Sequence, residues 1–296
     1  MSIRRIDMGS QVAVIIVLYN PDLSSVKKTA NRLGRVCSLI LVDNSSVDNR
    51  ASFVLENCQY IPLLENKGIA YAQNVGIDKA KELGCSHVVF FDQDSAIDPQ
   101  FVCDIVEQYM SIEKTVCNLF LLGPKVYNEK TDEEYRSVFH RYESDENSFQ
   151  QRREIISSGS CVALKKISDI GGLDNNLFID AVDFEWCWRA FSKGYVSGIT
   201  DKVHLKHNVG QREIKICGYS ILISAPIRYF YQYRNYMWLC RRSYVPQAWK
   251  RNVGVKYFVR LFYFPIFVKA GFKIFKNMLK GISAGFKNDK SIYAKI

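Results

Sequence analysis

The chain reads as an α/β protein built on a doubly wound, mostly parallel sheet. Runs of strand length at residues 12–18, 38–42 and 87–91 are continuously apolar, as strands covered on both faces are. Segments of helical period separate them, in the order βαβαβα. Each run ends in polar residues: Tyr19-Asn20, Asp43-Asn44 and Asp92-Gln93-Asp94. In open α/β sheets that carboxyl edge is where ligands bind.

The first run stops at Asn20-Pro21 with no small-residue cleavage site behind it, so it is expected to be a strand rather than a secretory leader. Leu23, Val26, Ala30 and Leu33 then recur at helical spacing before Gly34. Asn66 is the expected cap of a helix running to Leu83, closed by Gly84. Asp98-Pro99 follows the third strand, a capping carboxylate before a first-turn proline. Residues 131–153 are dense in charge and poor in aliphatics, and read either as a mobile surface loop near the site or as a simply solvated one. Strand character returns over 155–164, and Gly171-Gly172 makes a turn. A helix is expected from about Asp183 to Lys193, then a short strand over 195–199. Residues 201–211 read as a loop containing His204 and His207.

Composition narrows the class. Of 296 residues 48% are hydrophobic and 24% charged, which excludes disordered, collagenous and low-complexity chains. The net charge of +10 is unevenly placed. Residues 1–213 carry 24 basic and 29 acidic side chains, a net of −5. Residues 214–296 carry 16 basic side chains against one acid, Asp289, a net of +15. The expected division is therefore a mildly acidic domain of globular size over 1–213 and a basic, aromatic helical region over 214–296 that faces an anionic partner. Nine cysteines occur without a CxxC, which argues against a zinc ribbon or thioredoxin-like centre and for core thiols in a reducing cytosol. No GxGxxG follows a strand and no GxxxxGK[ST] exists, so dinucleotide-binding and P-loop readings lose their support.

The two carboxylates of Asp92-Gln93-Asp94 supply hard oxygen donors suited to Mg²⁺ or Mn²⁺ carrying a diphosphate. Together with Val14-Ile-Ile-Val-Leu-Tyr-Asn20, Leu41-Val-Asp43-Asn44-Ser45 and Asn66-Lys-Gly68-Ile-Ala70 through Asn74-Val-Gly76-Ile77, this motif resembles family 2 inverting glycosyltransferases of the GT-A fold. The stretch Phe178-Ile-Asp180-Ala-Val-Asp183-Phe-Glu185-Trp186-Cys-Trp-Arg189 and His207-Asn-Val-Gly210-Gln211 are similar to bacterial rhamnosyltransferases that build O-antigen and related polysaccharides.

The resemblance implies that Asp43 hydrogen-bonds the nucleotide base, with Tyr19, Asn20, Asn66 and Gly68 lining the nucleoside pocket. Asn44, Gln93 and Asn74 join the donor-binding set, although Asn74 reads equally as a backbone-bonding structural residue. Asp92 approaches ribose and donor sugar, and Asp94 ligates the metal with Asp92 and His207; His204 is close enough in sequence to substitute. Asp43 also has a plainer reading as a turn former.

An inverting transfer needs one ionised carboxylate to take the acceptor proton. Asp183, at a helix start where the dipole favours an anion, is the expected base. Glu185 is the alternative, or else it holds the acceptor or a basic neighbour. Asp180, Trp186 and Arg234 are expected on the acceptor side, with Trp186 also readable as core. Arg189 pairs with an acid of its own helix.

The tail begins with a tyrosine-rich helix at 228–238 and continues over 253–286 with phenylalanines interleaved among lysines and arginines. Its longest uncharged stretch, 261–268, is far short of the ~20 apolar residues a spanning helix needs. Helices lying in the interface of an anionic bilayer fit better, and no nucleic-acid module accompanies the basic residues. The expectation is an inverting transferase moving L-rhamnose from dTDP-β-L-rhamnose to a sugar on a lipid-linked acceptor, at the cytoplasmic face of a bacterial inner membrane. A same-fold enzyme with another nucleotide sugar, or a non-catalytic membrane-surface binding protein, are the alternatives.

Overall fold

A computed structural model describes residues 11–55, 57–95, 97–128, 148–207, 212–216 and 219–287. The amino-terminal half alternates β1 (Val12–Leu18), α1 (Leu23–Leu33), β2 (Ser38–Asp43), β3 (Cys58–Pro62), α2 (Ile69–Glu82), β4 (His87–Asp92) and α3 (Pro99–Glu113). There follow β5 (Leu119–Asn128), β6 (Phe149–Arg152), β7 (Cys161–Ala163), α4 (Leu164–Ile170), α5 (Val182–Ser192) and β8 (Val196–His207). A hairpin of β9 (Arg212–Ile216) and β10 (Tyr219–Ile223) leads to α6 (Pro226–Cys240), α7 (Gln247–Phe267) and α8 (Gly271–Phe286).

The eight strands of the main sheet stand in the order β3-β2-β1-β4-β7-β5-β8-β6. The first four are parallel; β7 runs antiparallel to both β4 and β5, and β6 antiparallel to β8. The continuous apolar runs have the expected cause. Ala13 and Ile15 of β1 enter a core on one face of the sheet, while Val12, Val14, Ile16 and Leu18 enter a second core on the other. Asp98 caps α3 by accepting from the backbone of Gln100, ahead of Pro99, as its sequence predicts.

Several expectations needed correction. Asn66 does not cap α2: the cap position is Gly68, at φ +86°. The strands β3 and β5 were not anticipated. β3 is a half-buried edge strand without an apolar run, and β5 passes through Gly123-Pro124, which reads as a break. A register shift after Pro124 lets the strand absorb a residue that cannot donate. The supposed loop over 131–153 contains β6 at its end; residues 129–147 lie outside the described residues. The strand expected over 155–164 shrinks to β7, and α4 begins at Leu164. Residues 201–207 belong to β8 rather than a loop, because the same irregularity displaces the charged Asp201-Lys202 without ending the strand.

The carboxyl-terminal helices pack on one another and on the segment before α5. Tyr229, Tyr233, Phe264, Ile274 and Met278 form their shared core. Gly281 of α8 lies against the Phe230 backbone of α6, where any Cβ would collide. Outside that core, Val255, Phe258, Val259, Phe262 and Ile266 of α7 and Phe272, Leu279 and Phe286 of α8 are exposed. No helix among the described residues is long and apolar enough to cross a membrane.

Candidate active site

Register places the first three apolar strands so that they end together: Leu18 pairs Asp43, and Val17 pairs Asp92. Strand order reverses at β1, the switch point where such sheets open a crevice. Tyr19 is locked to Gln93 twice, its N–H donating to Oε1 at 2.8 Å and its carbonyl accepting from Nε2 at 3.2 Å. Asn20, at φ +44°, donates its N–H to Ser45 Oγ. Tyr19 itself stays 48% exposed, presenting its ring at the rim.

Asp43 is fully buried. Its Oδ1 accepts from the Ser45 N–H at 3.0 Å, and its Oδ2 accepts from Tyr60 at 2.7 Å and Asn49 at 2.9 Å. Burial pushes its pKa up, but these donors more than offset it and hold the carboxyl below its ordinary range. Asn44 donates through Nδ2 to Asn66 Oδ1 and accepts the Lys67 N–H, while Asn66 Oδ1 also accepts the Gly68 N–H. Gly68 then passes so close to Phe178 that a Cβ would sit 2.6 Å from its ring and carbonyl. The loop before α2 and the segment before α5 thus touch at a point only glycine permits.

Asp92 ends β4 partly buried, its N–H 3.4 Å from Ser158 Oγ, and Asp94 stands exposed two residues on. Across the crevice Asp183 lies in the first turn of α5. Its Oδ1 accepts from the Phe184 N–H at 3.0 Å and its Oδ2 from the Ser157 N–H at 3.3 Å. Burial raises its pKa to about 6; the backbone N–H groups of Phe184, Ser157 and Asp183 itself pull it down, and the charge of Asp92 pushes it further up. Asp183 and the Asp92 motif therefore share one electrostatic environment.

The segment leading into α5 is strained: Phe178, Asp180 and Ala181 all sit at positive φ, between +61° and +67°. Asp180 is anchored there by Arg228 of α6, whose Nε lies 2.9 and 3.0 Å from the two carboxylate oxygens. Strain of this kind clusters at functional sites and persists only where surrounding contacts over-determine it. Asn235 supplies such contacts, donating to the carbonyls of Leu177, Ile179 and Asp180.

Four of the expected site residues fall outside the crevice. Glu185 is fully buried and accepts from Arg189, Arg242 and Tyr244, so it holds basic neighbours instead of facing a substrate. Arg189 is the same-helix partner expected of it. Trp186 is fully buried, donating to the Gly171 carbonyl and packing edge-on against Phe90 and Phe120. Arg234 is also fully buried, with its guanidinium over Trp238 and bonded to the Asn176 and Leu177 carbonyls. Asn74 spends both ends of its amide on Leu173 and Asn175, which makes it a staple for the loop before α5. His204 Nε2 bonds the Asp201 carbonyl. The backbone of His207, at the end of β8, pairs with Asn128 of β5, and its side chain lies outside the described residues.

Residues 13–170 match the family model for glycosyl transferase family 2. Over 258 residues the chain is 32% identical to the dTDP-rhamnosyl transferase RfbF of Shigella flexneri, covering 81% of this chain and 83% of that one. The chain belongs to glycosyl transferase family 2. The S. aureus TarS 1-349 structures share the fold: one superimposes with a TM-score of 0.55 at 15% identity, over 93% of this chain and 80% of that one. The form in complex with UDP-GlcNAc gives 0.54 at 16% identity, over 93% and 81%. Against the longer TarS structure the match spans 46% of that chain. The fold is thus GT-A-like, with a mixed, mostly parallel sheet.

In this glycosyltransferase several supporting residues escaped the sequence reading. Tyr60 and Asn49 hold Asp43, but Tyr60 lies in the unanticipated β3. Ser157 and Ser158 bind Asp183 and the Asp92 backbone, and Gln73 reaches Ser157 Oγ at 3.3 Å. Their one signal was the small polar run Ser157-Ser158-Gly159-Ser160, read as part of a strand. The donor chemistry of Asp92 and Asp94 fits a hard divalent cation, although the described residues hold no cluster of three His, Cys, Asp or Glu.

Proposed function

We propose that this glycosyltransferase moves L-rhamnose from dTDP-β-L-rhamnose to a sugar hydroxyl of a lipid-linked polysaccharide precursor, inverting the anomeric centre, with Asp183 as general base. The observation that carries the reading is Asp183. It is partly exposed at the crevice, accepts only from backbone N–H groups, and has a pKa of about 6. A base with that pKa is largely ionised at neutral pH and still basic enough to take a proton. The likeness to a dTDP-rhamnosyl transferase supports the donor.

The step balances simply. The acceptor oxygen forms a bond to the anomeric carbon on the face opposite the diphosphate. The carbon–oxygen bond to dTDP breaks, and the hydroxyl proton passes to an Asp183 oxygen. A β-linked donor gives an α-rhamnoside. Asp43, held below its ordinary range at the end of β2, would accept from the base, and Tyr19, Asn20, Asn44, Asn66 and Gly68 would shape the nucleoside pocket. Asp92 and Asp94 would hold Mg²⁺ or Mn²⁺, which when bound supplies charge to a departing diphosphate.

The exposed apolar residues of α7 and α8 stand among exposed Lys256, Lys269, Lys273, Lys276 and Lys280. Such a face fits a helix pair resting on an anionic bilayer. It supports a peripheral position at the cytoplasmic face of a bacterial inner membrane, where lipid-linked sugars are presented. Release of nucleoside diphosphate from a panel of nucleotide sugars, with synthetic lipid-linked acceptors, tests the reading. Turnover of dTDP-rhamnose above UDP-sugars, lost in Asp183→Asn, is expected. Preference for a different nucleotide sugar overturns the donor, and normal turnover by Asp183→Asn overturns the base.

A further inference from the structure

Asp183 stands in α5, but the chain just before it decides where α5 begins. Phe178, Asp180 and Ala181 hold positive φ there, and no glycine lies between Gly172 and Gly194 to take that conformation freely. Each of the three costs free energy that its neighbours must offset. Ala181 occupies the cap position of α5 at φ +61° and ψ +16°, and its carbonyl accepts the Glu185 N–H at 2.9 Å. The direction in which Asp183 leaves the helix is set by that left-handed turn.

One side chain of α6 reaches most of the carbonyls in this stretch. Asn235, 1% exposed, donates through Nδ2 to the carbonyls of Leu177 at 2.9 Å, Ile179 at 2.7 Å and Asp180 at 3.1 Å. Its Oδ1 accepts from Nε and Nη2 of Arg234, at 3.2 and 3.0 Å. That pairing fixes which end of the amide faces the carbonyls. The same guanidinium donates to the carbonyls of Asn176 at 2.7 Å and Leu177 at 3.2 Å. Tyr231, one turn earlier on α6, stacks on the Phe178 ring at 4.5 Å and 8°. From the other side, the Phe178 carbonyl accepts the Ile69 N–H at 2.8 Å, where α2 starts.

Asn74 offers a contrast inside the same molecule. It ties residues 173–175 just as firmly, yet none of those residues sits at positive φ. Asn235 binds the one stretch before α5 that stores strain, and it binds that stretch through the carbonyls on which the strained dihedrals turn. Its own support is rigid. Gly281 of α8 lies against the Phe230 backbone and Gly285 against Met237, each where a Cβ would collide.

We propose that Asn235, oriented by Arg234, is a positioning residue for the transfer: it holds the left-handed entry to α5 and so fixes the Asp183 carboxylate at the acceptor hydroxyl. Without the clamp the strained dihedrals relax, the start of α5 turns, and Asp183 leaves the Ser157 N–H that it now meets at 3.3 Å. Rates depend steeply on such placement, since a shift of about 1 Å costs on the order of 100-fold even when its cause is remote. The carboxyl-terminal helices thereby take a part in catalysis that is separate from any contact with a membrane. The proposal rests on the reading of Asp183 as base, but not on the identity of the donor sugar or of the acceptor.

The test uses the full chain with whichever nucleotide sugar and acceptor the wild type turns over, at a temperature well below each variant's unfolding midpoint. Asn235→Ala should lower kcat per folded molecule by about 10- to 100-fold, with donor Kd within about twofold. The same substitution should cost at least about threefold less in an Ala181→Gly background, because glycine takes the left-handed turn without being held. A staple with no part in catalysis would lower the midpoint and leave kcat of the folded protein unchanged, and that result overturns the proposal. Equal losses in the Ala181 and Gly backgrounds overturn it too. Where Asn235→Ala does not fold, Asn235→Ser, which keeps one donor, is read against the same two outcomes. Asp183→Asn run alongside keeps the two readings apart. Normal turnover there removes the base, whereas a dead Asp183→Asn beside an unimpaired Asn235→Ala removes only the positioning.

Discussion

Asp43 and Asp183 stand on opposite sides of one crevice and are driven in opposite directions. Asp43 is fully buried and Asp183 partly so, and that loss of water raises either pKa. Asp43 meets the hydroxyl and the N–H of Ser45, a phenol and an amide, and those donors bring it below its ordinary range. Asp183 meets two backbone N–H groups and the nearby charge of Asp92, and stays at about 6. The difference fits the proposed division of labour. The edge around Asp43, the proposed donor side, is a set of loops whose polar groups satisfy one another before any ligand arrives. The edge around Asp183, the proposed acceptor side, holds a carboxylate near neutrality on a backbone strained at Phe178, Asp180 and Ala181.

The largest effect expected concerns the carboxylates between the two edges. Stripping divalent cation with EDTA, or Asp94→Ala, should bring turnover to background, and weaken donor binding measured with metal present. Full activity in excess EDTA breaks the pairing of Asp92 and Asp94 with a metal. Next, Asp183→Asn should lower kcat by about 100- to 10,000-fold with donor Kd unchanged. Asp43→Asn should do the reverse, raising donor Kd while saturating turnover stays close to wild type. Equal effects on kcat from both would erase the contrast drawn above.

Glu185→Gln sharpens the comparison inside α5. It leaves Arg189 and Arg242 facing a neutral amide in a buried network, and should destabilise by about 3 kcal/mol, read by urea unfolding. The folded fraction should keep its kcat. A dead but fully stable Glu185→Gln would transfer the base to Glu185.

A smaller effect is expected in the pH profile. The base must be ionised, so kcat should be flat above about pH 6 and fall about tenfold per unit below it. Because the folded pKa lies above the unfolded value, the ionised form is the destabilised one. Lowering pH through 6 toward 4 therefore adds protons to the folded state and removes a penalty as activity falls. The smallest change belongs to the outer surface. Phe258→Ser with Phe262→Ser should weaken binding to anionic vesicles several-fold, at about 1.5 to 3 kcal/mol per fully buried side chain as an upper bound, with no change in turnover of a soluble acceptor.

The strand-end residues were legible because the physics behind them is local. An apolar run of seven residues ending in Tyr19-Asn20 has to be a covered strand with a polar mouth. The glycine at position 68 is explained by its φ of +86° and by Phe178, a contact no nearby residue announces. Trp186 and Arg234 look alike in sequence to side chains at a cleft, and both are completely buried. Tyr60, Ser157 and Gln73 were missed because they act from segments without periodic signals.

By itself, the sequence determined the alternation of covered strands and helices, the clustering of Asp43, Asp92 and Asp94 at one sheet edge, and the split between an acidic body and a basic tail. These follow from side-chain hydrophobicity, period and charge, which are properties of residues near one another in the chain. Tertiary structure alone decided that Asp183 faces the crevice while Glu185, two residues on, is closed in by Arg189, Arg242 and Tyr244. It likewise decided that β7 runs against its neighbours and that Arg228 reaches Asp180 across 48 residues. A carboxylate's pKa and its access to substrate depend on which donors and charges pack around it, and those neighbours come from segments far apart in the sequence.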